Sequence, residues 1–297
     1  MVEGRPAALA TSDPSDAARE PAMPAFEMTD HSDAAITRDE AEFVAVRDRL
    51  IQLAHRLGRE ERAQAILGEG NVSAALSDGS FLVKASGSSL PNLRADDLTR
   101  VDRSIVLQGL ATLGSRPSDA EVEALLADAR VDRTARMPSV ETFLHALCLE
   151  EAGVDVVGHT HAEAIIAVLC SQAGAEPFLH HLFPDAIVVC GHQPAVIPYV
   201  DPGHALALAV KDALDRYRSD HGHPPKLLLM ENHGPVALGA NTTEVANVLF
   251  MAAKWARVLI GTYAFGGPRF LGEEVVRRID GRLDEARRRR ALLEDRS

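Results

Sequence analysis

At 297 residues and 46% hydrophobic, the chain can bury a sizeable core in one large domain or two small ones. Its net charge of −12 and pI near 5.5 argue against a general nucleic-acid binder, whose footprint would be a basic surface. No apolar run approaches the roughly eighteen residues of a membrane span, and the N-terminus lacks the basic start and apolar core of a secretory signal.

Residues 1 to 36 are rich in Ala, Pro, Asp and Ser without hydrophobic periodicity, and are expected to form a flexible tail ahead of one domain over 37–297. Thr37 and Glu40 form a capping-box pattern, and Phe43, Val46, Leu50, Ala54 and Leu57 follow at helical spacing up to Gly58. Ser77-Asp78-Gly79 predicts a turn between strands over 72–76 and 81–85. Two glycine-containing turns, Gly68 to Asn71 and Ser86 to Ser89, then fall at neighbouring strand ends, where they either cradle an anion or only turn the chain. Ser118 with Glu121 caps a helix. Pro138 suits the start of another, which would carry Glu141 and His145 on one face.

The hydrophobic run ending in Gly158-His159-Thr160-His161 predicts a buried strand that leads into a helix. Side chains two apart on a strand share a face, so both imidazoles can reach one point. With 12 histidines in 297 residues about 0.5 such pairs arise by chance, so ligation and structural histidines both stay open. A second pair, His221 and His223, lies beside Gly222 and two prolines and is expected in a solvated loop. Residues 186–190 and 195–200 are expected as strands, 205–217 as a helix, and 226–230 as a buried strand that ends before His233. A short run over 235–238, a long helix from Thr242 to Ala264 and a charged helix over 271–293 complete the chain. Arg287 to Arg290 is expected as a solvated face of that last helix. Three cysteines, Cys148, Cys170 and Cys190, without Cys-x-x-Cys spacing, fit free thiols in a reducing cytoplasm, with Cys148 and Cys170 in the core. The alternation of helices and strands predicts an α/β layer domain.

Four separated motifs, PSVETFLH, GHTHAEA, VIPYVDPG and MENHGPVALG, with GEGNVSAAL and FLVKASG upstream, resemble the class II aldolase and adducin head-domain family over roughly residues 40–265. The wording KASG and PSVET is most similar to the aldolase portion of bifunctional rhamnulose-phosphate aldolase/dehydrogenases. The resemblance implies a three-layer α/β/α fold with a central mixed, mostly antiparallel sheet. It implies a divalent metal, zinc or another such as manganese, cobalt or iron, on His159, His161 and His233, with an open fourth position. It further implies Glu141 and Tyr199 as the catalytic acid–base groups. Gly70, Asn71, Ser86, Gly87 and Ser139 would hold the phosphate of a sugar-phosphate substrate. Tyr199 would reach the site from a neighbouring subunit of a homotetramer.

The activity so implied is cleavage or formation of a C–C bond of a ketose 1-phosphate, giving dihydroxyacetone phosphate and an aldehyde. A family dehydratase or decarboxylase using the same metal is the alternative. Adducin-like heads, which are non-catalytic interaction modules, lack the three histidines that stand here. Val140 replaces a serine common before the glutamate, and Lys84 lies either in the pocket or in solvent.

Overall fold

The structure, a computed structural model, describes residues 31–282 together with Met1, Asp284 and Ala291, and side chains from Arg38 on. The tail expected over 1–36 therefore lies mostly outside the described residues, as does Arg287 to Arg290. The elements in order are helix α1 (His31–Leu57), strands β1 (Asn71–Ala75), β2 (Ser80–Lys84) and β3 (Leu98–Asp102), and helices α2 (Arg103–Thr112), α3 (Asp119–Ala129) and α4 (Thr142–Cys148). Strand β4 (Val156–His159), helices α5 (Glu163–Leu169) and α6 (Pro184–Cys190), strand β5 (Ala195–Ile197) and helix α7 (His204–His221) follow. Strands β6 (Leu227–Met230) and β7 (Gly234–Gly239) and helices α8 (Thr242–Thr262) and α9 (Glu273–Asp280) close the described chain.

The strands form one seven-stranded sheet in the order β3-β2-β1-β4-β7-β6-β5. Every pairing is antiparallel except β5 with β6, so the sheet is mixed and mostly antiparallel, as the resemblance implied. Strand alternation separates two cores. Val72, Leu82, Val156, Leu227, Leu229 and Ala237 face α1, α5 and α8, while Phe81, Val83, Val157, Leu228 and Val236 face α2, α3, α4 and α7. Both faces are covered, which is why β6 reads as an unbroken Leu-Leu-Leu-Met run rather than an alternating one.

Several boundaries differ from the sequence reading. Helix α1 already runs from His31, six residues before the capping box at Thr37. The run 186–190 is helical, not extended: Pro184 opens α6 at a position where a missing N–H costs nothing, and Gly191 at φ 87° ends it. Its side chains are buried on two sides, Ile187 and Val188 against α9 and Ala186 and Cys190 against α8, which mimics the composition of a buried strand. Pro138 does not start α4; it bridges to Ala85, and the helix begins at Thr142. Only 195–197 of the run 195–200 is a strand. Neither β3 nor α2 had been expected; Asp102 ends the one and caps the other by accepting from the Ser104 and Ile105 amides.

Cys170 is exposed just past α5, not in the core. His221 is the last residue of α7, its ring tilted 35° against Tyr217 with centroids 4.1 Å apart, rather than part of a loop. The segment Thr242–Phe265 is long and apolar enough to cross a membrane by length and composition, with mean hydropathy 1.3. Its apolar stripe, including Val245, Leu249, Trp255 and Leu259, packs instead on the sheet.

Candidate metal centre

The centre of the sheet delivers the histidines. His159 is the last residue of β4 and is fully buried. His161 lies two residues on, past the end of the strand, so strand alternation does not explain why the two rings converge. The loop 63–65 does: the Gln64 carbonyl accepts from the His161 amide at 2.8 Å, and the Gln64 side chain accepts from Thr160 Oγ1 at 3.1 Å. His233 comes from the turn between β6 and β7, which β7 holds beside β4. Asn232 adopts φ 55° there, and the His233 amide closes on Met230 O. Gly234 is required at this point, because a Cβ would lie 2.4 Å from Thr160 O.

Glu141 completes the group from the turn before α4. Ser86 N donates to Met137 O and Ala85 bridges Pro138, which ties that turn to the end of β2. The Nε2 atoms of His159 and His161 are 3.0 Å apart, and Glu141 Oε1 lies 3.3 Å from His159 Nε2 and 3.4 Å from His233 Nε2. All four donor atoms fall within 4.8 Å of one another. A tetrahedral zinc with bonds of about 2.0–2.1 Å places its ligands about 3.3–3.4 Å apart, so the donor set fits such an ion. Glu141 thus adds a fourth candidate donor to the three histidines.

The electrostatics agree with a site that favours positive charge. Burial opposes ionisation of Glu141, yet the adjacent His159 and His233 hold it well below the usual carboxylate range. Burial likewise opposes a charged His159, and the Glu141 carboxylate outweighs it, raising the imidazole above its ordinary value. His159 Nδ1 lies 2.9 Å from Pro235 O and its proton belongs there, so the ring in its neutral form would present the Nε2 lone pair to a cation. Burial and the two neighbouring imidazoles push His161 down to about 4, so it stands neutral and ligand-competent at pH 7.

The structure also gathers most of the residues expected at the anion pocket. Asn71 is the register partner of His159, with its Nδ2 buried and without a partner among the described residues. Gly70 turns the chain into β1 at φ 73°, with a Cβ position 2.8 Å from His159 O. Ser86 and Gly87 follow β2, and the Ser139 hydroxyl accepts from the Glu141 amide at 3.2 Å. Lys84 is buried, not in solvent: its Nζ donates to Ser88 O at 2.7 Å and Gly68 O at 3.2 Å and so joins the two glycine turns.

Three further residues border the group. Arg136 donates to Ser86 O at 3.1 Å and pairs with Asp97 at the pocket rim. His145 is fully buried, with Nδ1 2.7 Å from Ser73 Oγ. Glu69 faces His161. Tyr199 is not brought to the group: it is 56% exposed, and its hydroxyl donates to Asp201 at 3.0 Å.

Comparison with known proteins gives one consistent result. Residues 48–260 match the family model described as class II aldolase and adducin N-terminal domain. The Bacillus subtilis protein named uncharacterized oxidoreductase YuxG is 26% identical over 238 residues, 75% of this chain, but the match spans only 31% of YuxG. A 3-oxo-tetronate 4-phosphate decarboxylase from Pectobacterium atrosepticum is 28% identical over 193 residues, 63% of this chain and 72% of its own. Among solved structures, an L-fuculose 1-phosphate aldolase superposes with a TM-score of 0.60 at 18% identity, covering 80% of this chain and 94% of that one.

Proposed function

We propose, from the premise that the chain belongs to the class II aldolase and adducin N-terminal domain family, that it is a metal-dependent lyase. Its reaction is cleavage of the carbon–carbon bond next to the ketone of a ketose 1-phosphate, giving dihydroxyacetone phosphate and an aldehyde. The observation that carries this reading is the convergence of three imidazole Nε2 atoms and one carboxylate at metal-ligand spacing. A divalent cation held there, zinc being the best fit, supplies Lewis-acid stabilisation of the charge that develops when that bond breaks.

His159, His161 and His233 hold the ion. Glu141, at the turn before α4, would exchange the proton at the carbanion carbon. Asn71, Ser86, Gly87 and Ser139, with Gly70 permitting the close approach of the turn, bind the phosphate through amides, hydroxyls and the free Asn71 Nδ2. Lys84 and Arg136 add positive charge around that pocket. Tyr199, turned away from the group within one chain, handles the aldehyde-oxygen proton in a neighbouring subunit of a cytoplasmic tetramer.

A second reading is favoured by one observation, the match to 3-oxo-tetronate 4-phosphate decarboxylases. The same metal and pocket would then stabilise the enediolate left by loss of CO2 from a phosphorylated 3-oxo sugar acid. The two are separated by supplying the metal-loaded protein with a panel of ketose 1-phosphates and with 3-oxo-tetronate 4-phosphate. Dihydroxyacetone phosphate from any of the first supports the aldolase. Its absence across the panel with CO2 released from the second establishes the decarboxylase instead.

A further inference from the structure

The three histidines are not held alike. A ring that gives its Nε2 lone pair to a cation must carry its proton on Nδ1, and that N–H needs an acceptor to fix the ring's rotation. His159 has one, the Pro235 carbonyl at 2.9 Å, and is fully buried. His161 is one-quarter exposed, and among the described residues the acceptor facing its Nδ1 is the Glu69 carboxylate, with Oε1 3.7 Å away. The turn that carries Glu69 is itself pinned. Glu69 Oε2 accepts from the Ile66 amide at 3.0 Å while the Glu69 amide donates to Ile66 O at 3.0 Å. Leu67 sits between them in the left-handed region at φ 50°.

Resting on the reading of this group as a metal centre, we infer that Glu69 is a positioning residue, whose carboxylate receives the His161 Nδ1–H and fixes that ring for metal binding. The distance, longer than a hydrogen bond, closes by a small rotation of the quarter-exposed ring when Nε2 is engaged. One carboxylate oxygen stays on the Ile66 amide and the other serves the histidine, so a single side chain couples the turn to the ligand.

Zinc affinity is measured by competition with a chromophoric chelator on the full chain, for wild type, Glu69→Gln, Glu69→Asp, His161→Ala and the double variant Glu69→Gln/His161→Ala. Glutamine keeps a carbonyl for the Ile66 amide but turns an NH2 toward the Nδ1–H, donor against donor. Glu69→Gln is expected to weaken zinc binding about 10–100-fold at an unchanged apo melting temperature. Glu69→Asp is expected to recover part of that loss. In the His161→Ala background, Glu69→Gln is expected to cost nothing more, because Glu69 acts through that ring. Wild-type affinity in Glu69→Gln overturns the inference and leaves the metal centre standing, and so does an equal loss with and without His161. A wild-type chain that binds no divalent metal overturns both.

Discussion

At the scale of single residues, the group around His159 combines donors whose protonation is set by their surroundings. The wild type is expected to carry near one metal ion per chain and His159→Ala to carry none, read by elemental analysis of the purified proteins. Glu141→Gln is expected to keep the metal, since three imidazoles remain, and to lower kcat about 10²–10⁴-fold, the usual weight of a lost acid–base group. His145 makes a separate prediction about pH. Burial pushes its imidazole down to about 3 from an ordinary value of 6.5, so between those values the unfolded chain binds a proton that the folded one refuses. Stability therefore falls as pH falls below 6.5, by about 1.4 kcal/mol per pH unit from this residue. Chemical denaturation of the metal-free protein at pH 7 and pH 5.5 should show that loss, and it should shrink in His145→Asn.

At the scale of elements, the site depends on backbone close approaches more than on any one side chain. The loop 63–70 wraps the segment 160–161, and β7 lies against the same segment from the other side. Gly234→Ala places a Cβ 2.4 Å from a backbone oxygen that cannot swing away, so strand β7 or the loop must shift. The variant is expected to lose about 1–3 kcal/mol by thermal or urea unfolding and to bind zinc more weakly, because His233 is the adjacent residue. Gly191→Ala is the control: φ 87° with ψ −179° costs about 1–3 kcal/mol of backbone strain, yet no atom beyond its chain neighbours lies within 4 Å of its added Cβ. Its zinc affinity should match the wild type.

At the scale of the whole molecule, a single chain brings together the candidate metal donors and most of the residues proposed to bind phosphate but leaves Tyr199 exposed and bonded to Asp201. If Tyr199 serves a neighbouring subunit, Tyr199→Phe and Glu141→Gln should each be impaired alone. Mixed after reversible dissociation, the two inactive variants should regain part of the wild-type activity, since some sites then combine an intact glutamate with an intact tyrosine. No recovery in mixed oligomers, with subunit exchange verified by sedimentation or native mass measurement, would place the tyrosine outside the reaction.

Much of this was legible in the sequence, for local reasons. The apolar runs at β1, β4, β6 and β7, the Ser118–Glu121 cap and the helical spacing of α1, α7 and α8 each follow from period and terminus chemistry within a few residues, and four motifs pointed to the family now matched over residues 48–260. Where a run was short and buried on two sides, as at 186–190, composition could not separate helix from strand. Only the tertiary structure decided that His161 converges through the Gln64 loop rather than by strand alternation, that Lys84 turns inward to tie two glycine turns, and that the Glu141 carboxylate joins the three imidazoles. The contacts of Glu69 with His161, Arg136 with Ser86 and His145 with Ser73 became visible only there as well. Each of these depends on which distant segments the sheet brings within a few ångströms, and contacts between residues 16 to 97 positions apart leave no period in the chain.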